Sequence, residues 1–115
     1  MEIRRLQPGK RMSQAAIHNG TIYLAGQVAD DTSQDVAGQT RQVLASIDKL
    51  LAEAGSDKSK ILMATIVLAD IATFADMNSV WDSWVAAGHT PSRATIEAKL
   101  VAPQYRIEII VTAAQ

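Results

Sequence analysis

Apolar residues recur along this chain with two different periods, and the change of period separates helices from strands. Val43, Leu44, Ile47, Leu50 and Leu51 fall at i, i+1, i+4, i+7 and i+8, the stripe of a helix packed on one side. Asp35 stands where an N-cap belongs and Gly55 where a left-handed C-terminal residue belongs, so this helix is predicted to run from Asp35 to about Ala54. Phe74, Met77, Trp81 and Trp84 repeat the helical spacing and predict a second helix. Asp70 or Thr73 could cap it, the latter with Asp76 in a capping box, and Gly88, Thr90 and Pro91 end it. At that spacing the tryptophans read as core or interface packing rather than as a stacking platform for a ligand.

Elsewhere the period is two. After a short start at Ile3 and Leu6, Ala15–His18 leads into Asn19-Gly20, a dipeptide suited to a type I′ hairpin turn, and Thr21–Val28 follows as its partner strand. Gly26 inside that strand marks either a bulge or a place where something approaches the backbone closely. Ile61–Ala69 is nearly all apolar, which reads as a central strand buried on both faces. In 93–100, Ala94, Ile96, Ala98 and Leu100 face one way and Arg93, Thr95, Glu97 and Lys99 the other. In 106–112, Ile107, Ile109 and Val111 oppose Arg106, Glu108, Ile110 and Thr112. The resulting order, β-β-β-α-β-α-β-β, predicts an α+β layer with two helices on one face of a mixed sheet. The other face is too apolar to leave wet and too polar for a closed core, and a subunit interface is its natural use.

Composition narrows what such a layer could do. At 115 residues, 1–115 forms one domain, with 48% hydrophobic and 20% charged residues. Cysteine is absent, which excludes disulfides and thiolate chemistry. A net charge of −1 argues against a nucleic-acid partner. No apolar run reaches membrane-helix length and the first residues lack a secretory core, so the expectation is a cytoplasmic protein. No glycine-rich phosphate loop, HExxH, GxSxG or CxxC occurs, and His18 and His89 lack ligand spacing, so neither metal nor nucleotide is expected.

Three features could carry chemistry, each with a plain structural alternative. Arg93 begins a strand just after Thr90-Pro91-Ser92. It either grips a planar carboxylate, for which a guanidinium is best shaped, or reaches into solvent. Glu108 sits in a strand among apolar neighbours. It either works as a general acid or base in a partly dry site, or lies on a wet sheet face. Gly26 either exposes its N–H to a ligand or marks a bulge.

Together these segments resemble one family. Arg41-Gln42-Val43-Leu44 is similar to the Thr-Arg-Gln-Val-Leu signature of the RidA/YjgF proteins, the reactive intermediate deaminases, and Ala25-Gly26-Gln27-Val28 to their Ser-Gly-Gln-Ile. Pro91-Ser92-Arg93-Ala94-Thr95-Ile96-Glu97 resembles the Pro-x-Arg-x-x-Val-Glu block, 106–109 the final strand, and Asn78 lies in a segment like Val-Asn-x-x-Tyr. The resemblance covers essentially the whole chain. It implies a chorismate-mutase-like fold assembled as a homotrimer with clefts between subunits, and cofactor-free hydrolysis of 2-imino acids to 2-oxo acids and ammonia. It further implies that Arg93 binds the substrate carboxylate, that Glu108 readies the water, and that Gly26, Thr95 and Asn78 line the pocket. Two positions depart from the family. Met12 stands in Lys10-Arg11-Met12-Ser13-Gln14 where many members have tyrosine, and Thr95 where many have cysteine. The alternatives are a non-catalytic carboxylate-binding regulator of the same fold, against which the presence of both Arg93 and Glu108 speaks, and the chaperone and nuclease roles attributed to some relatives, the last disfavoured by the charge balance.

A geometric expectation accompanies the assembly. If the last two strands form a hairpin turning near Pro103, Glu108 lies opposite residue 97 or 98, and Arg93 is roughly 13–17 Å away at ~3.3 Å per residue. One small substrate would not span that gap, so the pair is expected to work across two subunits.

Overall fold

The computed structural model describes residues 2–115. Strands β1 (Arg4–Leu6), β2 (Ala15–His18) and β3 (Thr21–Leu24) precede helix α1 (Val36–Glu53); strand β4 (Ile61–Leu68), helix α2 (Phe74–Trp84), and strands β5 (Ser92–Glu97) and β6 (Ile107–Ala114) follow. The predicted α+β order is thus observed. Asn19 and Gly20 take φ of +52° and +74°, the two positive values a type I′ turn needs. Asp35 caps α1 by accepting from the Gly38 N–H at 2.9 Å, and Gly55 follows the helix at φ +80°. Thr73 does not form the capping box: its hydroxyl donates to the Asp70 carbonyl instead. Asp70 caps a short 3₁₀ turn, Ile71–Thr73, that leads into α2, because a tight turn there leaves the Thr73 hydroxyl facing backwards.

The six strands form one sheet in the order β1-β2-β3-β6-β4-β5. The β4–β5 pair is parallel, with α2 as its crossover, and the other pairs are antiparallel. Both helices pack on one face. There Ile22, Leu44, Ile47, Leu51, Ile66, Leu68, Met77, Ile107, Ile109 and Val111 are fully buried, each worth about 1.5–3 kcal/mol relative to exposure. Trp81 completes this core. Trp84 sits at its rim, its indole N–H donating to Asp48 of α1 at 2.9 Å.

Three expectations change. β5 and β6 do not form a hairpin; β6 lies on the other side of β4, between it and β3. The stretch 98–106 is too long for a tight turn, and it carries the chain past the end of β4, where Ala98 N–H donates to Leu68 and Ala69 N–H to Arg106. Nor is β4 buried on both faces. Its helix side is closed, but on the other face Met63 is exposed, as is Leu62 at the bulge beside it, while Val67 further along that face is buried. Finally, Thr21–Val28 is shorter as a strand, stopping at Leu24. Beyond it only Gln27 bridges β6, exchanging hydrogen bonds with Ile109.

Buried Gln39 on α1 ties the loops around the sheet end. Its Nε2 lies 3.1–3.3 Å from the carbonyls of Thr32, Gln34 and Gln104, and its Oε1 accepts from the Arg106 N–H at 2.9 Å. Gln39→Leu leaves these groups without a partner and is expected to cost about 2–3 kcal/mol in urea unfolding. Unchanged stability would mean that the loops hold themselves.

Candidate active site

Strand parity decides where each candidate residue goes. On β6 the buried Ile107, Ile109 and Val111 take the helix side, so Glu108 projects from the open face. On β5, Arg93 pairs with Ala64 and Thr95 with Ile66, both core residues of β4, so Arg93 and Thr95 point to the helix side. The proposed acid-binding and water-activating groups therefore lie on opposite faces of the same sheet. Glu108 is opposite Val67 and Arg93 opposite Ala64 on the intervening strand. Two strand spacings and three residues of offset separate their Cα atoms by about 14 Å. The separation expected from a hairpin holds in size, though it arises from an intervening strand and a change of face.

Around Arg93 the half-site is built from side chains of α2. Its Nη1 donates to Asn78 Oδ1 at 2.8 Å, and its Cζ lies 5.3 Å from the Trp81 ring centroid and 5.7 Å from that of Phe74. Arg93 does not reach freely into bulk solvent; it is half-buried between the edge strand and α2. Asn78 thus touches the arginine itself. Thr95, two residues along on the same face, has a buried Oγ1 with no hydrogen-bond partner among the described residues.

The second half-site centres on Glu108, which is half-buried. A Cβ added to Gly26 would come within 2.8 Å of the Glu108 Cδ and closer still to Oε2. Of the two readings of Gly26, which lies beyond the end of β3, the structure shows the close approach, and what approaches is this carboxylate. Nearby, an open-face cavity of about 610 Å³ is lined by Met12, Tyr23 and Ala25, with the cations Arg5, Lys10 and Arg11. Met12 is half exposed, on a loop closed by the Gly9 N–H donating to its carbonyl at 2.7 Å. The slightly larger cavity, about 630 Å³ at the start of α1, is lined by Asp35, Asp70, Asp76 and Arg106 among others and contains none of the candidates. Among the described residues no three His, Asp or Glu side chains gather as a metal site, and no helix is long and apolar enough to cross a membrane.

Sequence reasoning missed Gln39 and the contact of Phe74 and Trp81 with Arg93. The signal for the latter was present, since Phe74, Asn78 and Trp81 stand at i, i+4 and i+7 on one helix face. Gln42, in the segment Arg41-Gln42-Val43-Leu44, is structural: it exchanges hydrogen bonds with the backbone of Asp31 at 2.9 and 3.0 Å.

The two-helix α+β layer is shared with known proteins. The model of the family described as Endoribonuclease L-PSP matches residues 2–115, and the chain belongs to this RidA/YjgF family. It is 51% identical to a RutC family protein of Haemophilus ducreyi over 112 residues, covering 97% of this chain and 96% of that protein. It is 32% identical over 109 residues to a 2-iminobutanoate/2-iminopropanoate deaminase of Rattus norvegicus, covering 90% and 79%. The crystal structure of a YjgF family member from Neisseria meningitidis superposes with a TM-score of 0.97 at 49% identity, covering 100% and 96%.

Two substitutions probe the half-sites. Gly26→Ala should push the Glu108 carboxylate aside while Tm barely moves, a displacement that a crystal structure and a thermal melt of the variant would show. Thr95→Val removes an unpartnered buried hydroxyl and should raise unfolding free energy by up to about 1 kcal/mol in urea titration. A destabilised Thr95→Val would show that the hydroxyl is already satisfied.

Proposed function

We propose that the protein hydrolyses 2-imino acids, including the tautomer of 2-aminoacrylate, to 2-oxo acids and ammonia, in clefts between the subunits of a cytoplasmic homotrimer. The observation that carries this reading is the placement of a held guanidinium and a glycine-backed carboxylate on opposite faces of one sheet. Neither half-site can serve one small substrate alone with the other from the same chain. A cleft that joins the Arg93 edge of one protomer to the open face of its neighbour gives both to one molecule. The exposed apolar residues of that face, Tyr23, Met63, Ile96 and Ile110, support such a contact.

The chemistry suits these groups. Arg93 takes the substrate carboxylate in two parallel hydrogen bonds and so fixes the adjacent C=N carbon. Glu108 accepts a proton from water as its oxygen bonds to that carbon, and the C=N π pair moves to nitrogen. Transfer of that proton from Glu108 to the amine makes ammonia the leaving group; as the C–N bond breaks, the hydroxyl oxygen closes the C=O bond and gives its proton to Glu108, which passes it to ammonia, so one iminium and one water yield the 2-oxo acid and ammonium. An iminium carbon is already electrophilic, so orientation, a held water and proton transfer suffice, and no cofactor enters the scheme. Met12 and Gly26 flank the carboxylate side of the cleft, and Asn78 and Thr95 the arginine side.

The direct test generates 2-iminopropanoate with an amino-acid oxidase and follows its loss with and without the protein. Acceleration is expected, Arg93→Ala should abolish it with the fold retained, and Glu108→Gln should slow it at least about a hundredfold. Neither variant works alone, but oligomers reassembled from an equal mixture of the two should recover about a quarter of the native activity, since some clefts then hold both native groups. Binding of 2-oxo acids with no imine turnover would replace catalysis by a sensing role. An active monomer in light scattering would refute the shared cleft.

A further inference from the structure

Phe74 is anomalous for an apolar helix face: it is 40% exposed, yet one turn further on Met77 is fully buried and Trp81 nearly so. Its exposure makes sense only with its neighbour, because the Arg93 guanidinium carbon lies 5.7 Å from its ring centroid and 5.3 Å from that of Trp81. Between these two rings in sequence, Asn78 accepts from Nη1 at 2.8 Å. Phe74, Asn78 and Trp81 occupy i, i+4 and i+7, so a single stripe of α2 supplies two aromatic surfaces and one neutral acceptor to a side chain from β5.

We infer that this stripe is a positioning slot for the guanidinium, with Phe74 and Asn78 acting through Arg93 to set affinity for the substrate's carboxylate; the inference rests on the function proposed above. Aromatic faces attract the cation and displace water from it, which lowers the hydration an incoming anion must strip away. Asn78 consumes one of five N–H donors and fixes the plane, leaving the rest of the fork for a carboxylate. The neutrality of Asn78 matters as much as its hydrogen bond. An aspartate of the same shape would pair with Arg93 and compete with the ligand for it.

The full chain is tested with 2-oxobutanoate by calorimetry and with imine hydrolysis kinetics. Phe74 opens α2 and is exposed, so its replacement leaves the core alone, whereas Trp81 is too buried for a clean test. Phe74→Leu should weaken 2-oxobutanoate binding and raise KM about threefold to tenfold with kcat little altered. Phe74→Tyr, which keeps the ring, should recover most of that loss. Asn78→Asp should weaken binding at least about tenfold while Tm holds or rises, as the new carboxylate occupies the fork. If Phe74→Leu and Asn78→Asp both bind as the native protein does, the slot is refuted, even where the native protein hydrolyses imines. If the native protein hydrolyses no imine but binds 2-oxobutanoate with these dependences, the enzymatic reading falls and the slot stands.

Discussion

The pairing of β6 with β4 is the constraint on which the rest of the molecule depends. The last strand of the chain enters the middle of the sheet, bonding to β3 on one side and β4 on the other, so the N-terminal strands and the β4-α2-β5 unit become one layer only when it is in place. Such a closure joins distant parts of the chain, and its register must be specific. Ile107, Ile109 and Val111 are fully buried under the helices. A slip of one residue would turn them to the open face and force Glu108 into the core, so the hydrophobic alternation that stabilises the strand also fixes where its carboxylate points.

The same parity keeps Arg93 and Glu108 apart within a chain. Side by side, a guanidinium and a carboxylate would form a charge-assisted pair and satisfy each other. On opposite faces, about two strand spacings apart, each keeps its hydrogen-bonding capacity. Arg93 is held by α2 through Asn78 and two rings, and Glu108 is backed by the main chain of Gly26, where a side chain would collide with it. Packed side chains and main chain thus position both groups before any ligand arrives, the condition under which orientation would contribute most to the hydrolysis proposed above.

Much of this was legible in the sequence because it is local. The period of Val43, Leu44, Ile47, Leu50 and Leu51, the caps at Asp35 and Gly55, and the positive-φ pair Asn19-Gly20 depend on neighbours within a few residues, and all three agree with the structure. So do the alternations in the last two strands, though the first ends at Glu97 and not at Leu100; they told that Arg93 and Thr95 share one face of their strand and Glu108 and Ile110 one face of theirs. Which of those faces meets the helices could not be read, because alternation is symmetric until another element covers one side.

Strand order was likewise beyond the sequence. Nothing in the residues of β5 and β6 distinguishes a hairpin from two strands on either side of β4, since both satisfy the same pattern and differ only in the path of 98–106. Gly26 left a bulge and a close approach equally open and could not name Glu108, which comes from a strand some eighty residues on. The Phe74–Asn78–Trp81 stripe needed β5 to bring it an arginine. Composition and periodicity by themselves determined the elements and the chemistry available to them, because propensity and amphipathicity are short-range. Tertiary packing alone decided which groups meet, because contacts between distant residues are selected by burial of the whole sheet at once.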